Sequence, residues 1–427
     1  MLTLSRRALR VDVPMIAALV LLAVLARFAG RGVVTVDMRT FYGWYADLTA
    51  HGVWHGLSQE IGNYNAPFLY LLALTTVLPG PMVLKIKLVW VVFDLLLVFF
   101  TYRTVALRWP GRRIPALAAL VVALLPTVVI NASFWGQTDS MWAAFALGGV
   151  YYLLRDKPWW GVAMCTVALA FKPQGIFIFP LLLLLVLAGR IRWRNLLAAP
   201  AVYVALCVPA MLAGRNPIEL LTLYDPGRQA IHVPDLTSNA PSAYVYFPID
   251  IRVETVKTLG YLFTAALILG VCYVLAARRV TITPYRMILA ATVFSILMPY
   301  TLPGMHERYF YLADVLTVVL AFYRPRLWYV PLLVQASSLL SYGPYLFRHD
   351  PRLISPMVLG ALMLAALIVT GYALLREAAV APLPAVKEPR STEPRSTEPQ
   401  IAGRPAPPAP RSEPVDLDDP QRVPSAR

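Results

Sequence analysis

The sequence predicts an all-α, polytopic membrane protein with about twelve transmembrane helices. Three observations predict it. Of the 427 residues, 58% are hydrophobic and only 14% charged, with a mean hydropathy of +0.61, whereas soluble domains carry about 25% charged residues. Apolar runs recur along the chain to about residue 375. Every second connection between them is rich in arginine or lysine, as cytoplasmic connections are.

Charge and cysteine usage narrow the class. The net charge is +15, but the stretch from Arg376 to the end holds 8 basic and 8 acidic residues and contributes nothing. The excess therefore lies around the apolar runs. Scattered in this way it marks membrane orientation, not a nucleic-acid surface. Cys165, Cys207 and Cys272 each sit inside an apolar run. They read as small core residues, not as a disulfide framework or metal cluster.

In chain order, Arg6, Arg7 and Arg10 precede the first run. Their pattern partly resembles a twin-arginine or cleavable signal. With many runs following, they read as residues holding the N-terminus in the cytoplasm. Spans are expected at 13–29, 84–105, 114–130, 139–154, 158–171, 174–188, 195–213, 256–277, 284–302, 308–322, 326–342 and 354–375. Four of these are short of the roughly 17–20 residues that a crossing helix needs. Basic connections fall after the second, fourth, sixth, eighth and tenth spans, which places both termini in the cytoplasm. The run Ala66–Leu78 is too short to cross and would break the alternation. It reads as an interfacial or re-entrant helix in the first outer loop, residues 30–83.

This orientation rests on Lys and Arg alone, yet it gathers the remaining polar residues on the outer face. The second long outer loop, 214–255, carries five prolines and several tyrosines. It fits either a binding lid or a packed cap. Residues 1–375 form the membrane body. Residues 376–427, rich in proline and with the repeat RSTEP, read as a disordered cytoplasmic tail.

Several outer-loop residues could carry chemistry. Asp37 lies just beyond the first span, where a carboxylate is a base, a metal ligand or the partner of Arg31 or Arg39. Asp94, in the middle of a span, reads as a structural clamp with a cationic or phenolic partner. Lys172 stands before Pro173, which breaks a helix there. It either meets a phosphate or snorkels. Gln137 and Asp139 suit a hydroxylated ligand, although Asp139 could instead cap a helix. The run His306-Glu307-Arg308-Tyr309 is a candidate anion pocket. His51 and His55 are spaced for a metal but lack a third ligand, and the Asn131 glycosylation sequon lies against a span end. Neither a P-loop nor a nucleophile elbow is present, so no nucleotide chemistry is indicated.

Taken in order, these pieces resemble the GT-C superfamily of membrane glycosyltransferases, whose sugar donors are linked to polyprenyl phosphates. The similarity covers roughly residues 10–375. It lies closest to dolichyl-phosphate-glucose glucosyltransferases and bacterial polyprenyl-phosphate-mannose mannosyltransferases. It runs through Asp37, Asn63-Tyr64-Asn65-Ala66-Pro67, Lys87 with Asp94, Gly136-Gln137-Thr138-Asp139, Phe171-Lys172-Pro173-Gln174 and His306-Glu307-Arg308. Met38 follows Asp37, so a metal-binding Asp-x-Asp pair is absent, and Arg308 stands where Lys is usual.

The resemblance implies a GT-C-like body and an inverting transfer of mannose or glucose; the richness in alanine, arginine and proline suggests a bacterial plasma membrane. The sugar would pass from a polyprenyl-phosphate-sugar donor to a lipid-linked or cell-envelope glycan, with no metal or other cofactor. Asp37 would be the base, and Lys172, His306 and Arg308 would bind the phosphate. Tyr64, Asn65, Gln137, Asp139, Gln174, Glu307 and Tyr309 would hold the substrates. A transporter or lipid flippase is the alternative. It would spread charges through the depth of the bundle, usually with an internal repeat.

Overall fold

A computed structural model describes residues 6–230, 235–247, 252–346 and 354–379. Among the described residues, the fourteen helices of nine or more residues come from apolar or amphipathic runs. They are α1 (Arg6–Ala29), α2 (Val36–Thr49), α3 (Ala66–Leu74), α4 (Met82–Ala106), α5 (Arg113–Leu124), α6 (Asp139–Leu154) and α7 (Pro158–Phe171). The chain continues with α8 (Phe179–Leu187), α9 (Ala198–Leu212), α10 (Val253–Ala277), α11 (Pro284–Thr301), α12 (Tyr311–Tyr323), α13 (Val330–Ser341) and α14 (Pro356–Ala379). Among the described residues the only strands are two-residue segments, β1 (Thr237–Ser238) and β2 (Met305–His306). The class is therefore all-α. These helices lie within one unit, Met1–Leu383; the other, Pro384–Arg427, is outside the described residues, as is the expected tail beyond residue 379.

A helix forms at each of the twelve expected spans, but the number able to cross is smaller. By length and composition three segments suffice: Trp193–Leu212, Val253–Ala277 and Pro356–Arg376. The pair Arg113–Leu124 and Pro126–Trp135, bent by 52°, makes a fourth if it is one span. The expectation of twelve is not supported on this measure, for a physical reason. At about 1.5 Å per residue, the 13-residue α12 covers about 20 Å of a core near 30 Å. α4 is long enough, with 25 residues, but carries Lys85, Lys87, Asp94 and Arg103.

Burial follows apolarity around the helix axis. In α11 every residue from Met287 to Thr301 is buried, as expected for a helix that is apolar all round. It packs with α6, α8 and α12 in the main core. A second core lies under the first loop, where Phe41, Tyr64, Phe68 and Trp90 meet in a chain of tilted and edge-to-face rings. This core seats α3, the expected non-crossing helix, with Phe68, Leu69 and Leu72 fully buried.

Two buried polar clamps tie the helices together. Arg27 Nε donates to Asp94 Oδ2 at 2.9 Å, and its Nη1 donates to the carbonyl of Ala123 at 2.8 Å. This is the clamp expected at Asp94, with an arginine as partner. Lys87 does not pair with Asp94. Its ammonium donates instead to the carbonyls of Gly30, Val33 and Ser133, at 2.7, 2.7 and 2.6 Å. It thereby fastens the end of α1 to the turn before α6. A second buried acid, Asp314 in α12, accepts from Ser338 Oγ at 3.0 Å; the sequence reading passed over it.

Candidate active site

The site is assembled where helices are forced to stop. After α5 the chain bends at Pro126 and ends in a π-type turn, Ile130–Trp135. Such turns displace side chains from the regular helical pattern. Gly136 follows with φ +80°, and a β-carbon there would collide with the Met38 side chain. A side chain is thus opposed at this position twice over, by its dihedral and by its neighbour. The turn points Trp135 and Gln137 back at α2. There Thr35 caps the helix, accepting from Met38 N, and its hydroxyl donates to the Trp135 carbonyl at 2.6 Å.

Asp37, in the first turn of α2, receives all of these. Trp135 Nε1 donates to its Oδ2 at 2.8 Å, and Gln137 Nε2 donates to the same oxygen. Tyr345 OH donates to Oδ1 at 2.7 Å while its ring stacks on Trp135 with centroids 4.6 Å apart. Neither Arg31 nor Arg39 pairs with Asp37 among the described residues. Arg31 lies over the Phe28 ring, and Arg39 is exposed. The carboxylate is therefore held by three neutral donors.

Gln137 links this carboxylate to a buried charge cluster. Its Oε1 accepts from Lys172 Nζ at 3.2 Å, and Lys172 is bound to Asp139 at 2.6 Å. Lys172 is placed as its sequence predicts: α7 stops at Phe171, Lys172 is extended, and Pro173 opens the next short helix. Burial lowers the Lys172 pKa, and Asp139 opposes that shift. Asp139 does not act as a helix cap. It also accepts from Asn131 Nδ2 at 2.7 Å and Trp142 Nε1 at 3.1 Å. Asn131, of the sequon, is thus buried and committed.

The His-Glu-Arg run is delivered by the break after α11. Gly304 donates to the Leu236 carbonyl at 2.7 Å, and β2 pairs in parallel with β1, matching Ser238 with His306. The long loop at 214–255 is thus a packed support in its described part, and Tyr244 OH anchors it to the Thr301 carbonyl at 2.8 Å. Arg308 is buried. Its Nη1 donates to Glu307 Oε1 at 3.2 Å, and its Nε lies 3.7 Å from Asp139 Oδ2. Its guanidinium also faces the rings of Trp135 and Tyr309 at 5.5 and 5.6 Å.

Two groups here differ from their expected charge. Burial, reinforced by Arg308, lowers the His306 pKa to about 3, so the imidazole is neutral near pH 7. At 4.0 Å from Glu307 Oε2, its Nδ1 makes no hydrogen bond. Burial raises Glu307 to about 7 against the pull of Arg308. His306 is therefore a hydrogen-bonding group, and Arg308 is the cation of this turn.

A cavity of about 390 Å³ opens on the assembly. Asp37, Tyr64, Gln137, Gln174, His306, Arg308 and Tyr309 line it. Lys172, Asp139, Glu307 and Asn65 do not; they form the buried layer behind. Asn65 is structural, capping α3 through Ala66 N and donating to Tyr203 OH at 2.7 Å. The sequence reading missed Thr40, Trp44, Asn63 and Gln229 in the lining, and it missed Tyr345. The one available signal for Tyr345 was its place in an outer connection. His51 and His55 meet edge to face at 5.8 Å. Among the described residues no three His, Cys, Asp or Glu side chains cluster to hold a metal.

No protein-family model matches the chain, and no curated protein matches it.

Proposed function

We propose that this protein is a GT-C-type inverting hexosyltransferase working at the outer face of a bacterial plasma membrane. It would be a multi-pass body of about twelve spans with both termini in the cytoplasm. The observation that carries the reading is that Asp37, His306 and Arg308, remote in sequence, line one cavity. An acceptor hydroxyl must lose a proton as it attacks the anomeric carbon, and Asp37 is the available carboxylate. The new oxygen–carbon bond forms as the sugar–phosphate bond breaks, and the phosphate leaves with the bonding electrons. No general acid is needed, unlike glycoside hydrolysis with its paired carboxyls.

Developing charge on the phosphate needs cationic and hydrogen-bonding partners. Arg308 supplies the charge at the cavity wall, and neutral His306 and Gln174 supply hydrogen bonds. Lys172 acts from behind, orienting Gln137 against Asp37. A smaller cavity of about 180 Å³ adjoins through Pro173, Gln174, Gln229 and Tyr309. Its wall includes Ile176, Phe177, Tyr261 and Leu302. A polar chamber beside an apolar one suits a phosphate head with a prenyl tail.

The rival transporter reading rests on buried acids, but Asp94 and Asp314 are each held by a neighbour. The deciding experiment gives purified protein a polyprenyl-phosphate-sugar and a glycan or glycolipid acceptor. Transfer without any nucleotide sugar is expected. Transfer only from a nucleotide sugar would defeat the donor assignment.

A further inference from the structure

A further cavity, of about 540 Å³, lies at the other end of the bundle. Its wall joins the start of α11 (Tyr285), the turn after α12 (Arg324 and Arg326) and the end of α14 (Tyr372 and Arg376). The Asp37 cavity lies at the opposite ends of these helices. Tyr285 and Thr301, at the two ends of α11, are separated by about 24 Å at 1.5 Å per residue.

Three arginines from two segments, the 324–326 turn and the end of α14, thus line one cavity, and among the described residues no carboxylate lines it. Arg324 lies over the Tyr285 ring at 5.7 Å. The same cavity runs onto an exposed apolar stripe of α14. Leu364, Ile368, Tyr372 and Leu375 are 37%, 60%, 62% and 42% exposed. Their spacing of four, four and three places them on one face. The stripe spans about 16 Å and ends beside Arg376. It belongs to Pro356–Arg376, one of the three segments long and apolar enough to cross a membrane.

From this arrangement we infer that the cavity binds an anionic phospholipid. The phosphate sits among Arg324, Arg326 and Arg376, and an acyl chain lies along the α14 stripe. Orienting residues of a membrane protein need only be basic and near a span end. They need not line a cavity that no carboxylate lines, among the described residues, and that leads onto an exposed apolar stripe. A soluble anion would use the arginines but not the stripe. Basic pockets between membrane helices bind anionic headgroups through this combination of charge and adjoining apolar surface. The inference is independent of the reaction at Asp37.

The test uses the full-length protein in detergent, with native mass spectrometry reading retained phosphatidylglycerol against phosphatidylcholine. The wild type should prefer phosphatidylglycerol. The triple variant Arg324→Gln, Arg326→Gln, Arg376→Gln should lose about 100-fold in phosphatidylglycerol affinity. Arg190→Gln with Arg194→Gln, in a separate basic pocket, should keep it. Because the triple variant could fail to fold, a photoactivatable phosphatidylglycerol is also applied to the wild type. Its adducts should fall on residues 364–376 and 324–329. Equal retention of both lipids, an unchanged triple variant, loss in the Arg190/Arg194 control or adducts spread over all helices would overturn the inference. So would displacement of the lipid by millimolar inorganic phosphate, which would mark a soluble-anion site.

Discussion

Asp37→Asn tests the proposed base with little disturbance of its surroundings. In the native site Oδ2 accepts from Trp135 and Gln137, and Oδ1 accepts from Tyr345. The asparagine carbonyl can take the place of Oδ2 and keep both of its donors. The new amide then faces Tyr345, whose hydroxyl can rotate to accept. All three contacts survive in neutral form, so the loss is limited to their charge assistance, about 1–2 kcal/mol in stability. Catalysis should suffer far more, because an amide cannot take the acceptor proton: a fall of about 10²–10⁴ in turnover. The assay is single-turnover transfer from a polyprenyl-phosphate-sugar, paired with thermal unfolding in detergent. The expected result is a normal or slightly lowered unfolding midpoint and a loss of transfer of at least about a hundredfold. Transfer within about tenfold of wild type, in protein that unfolds normally, would refute the role of Asp37.

Three further outcomes follow from the geometry. Asp94→Ala leaves the Arg27 guanidinium without its acid, 2.9 Å away in the native fold, and should destabilise by about 3–5 kcal/mol, while Arg27→Met with Asp94→Leu should be far milder, read as unfolding midpoints of both variants. His306 has its pKa lowered to about 3 in the folded protein. Its neutral form therefore supports stability above the ordinary value near 6.5, and that support is lost as pH falls from there toward 3; His306→Gln should flatten this part of the stability–pH curve. Gly136→Ala forces a left-handed residue against Met38. It should cost about 1–2 kcal/mol from the backbone alone and weaken transfer by displacing Gln137, measurable as a lower unfolding midpoint together with reduced turnover.

Local sequence determined the helices. Apolar runs, Pro173 after Lys172 and Asn65 before Ala66 set starts and stops within a few residues, because hydropathy and capping act between near neighbours. It also determined which connections are polar, and hence where Asp37, Gln137, His306 and Arg308 could be. Tertiary packing decided the rest. Tyr345 reaches Asp37 from 308 positions away in the chain, and no short-range pattern encodes such a meeting. Packing also decided that Lys172 and Asp139 neutralise one another behind the cavity and that His306 is uncharged, since desolvation depends on everything surrounding a group. Whether a helix crosses depends on its full length and on the charges it carries. The sequence therefore marked twelve helical segments and the short ones among them, but only the folded chain showed which are buried at the centre, as α11 is, and which face outward, as α10 and α14 do.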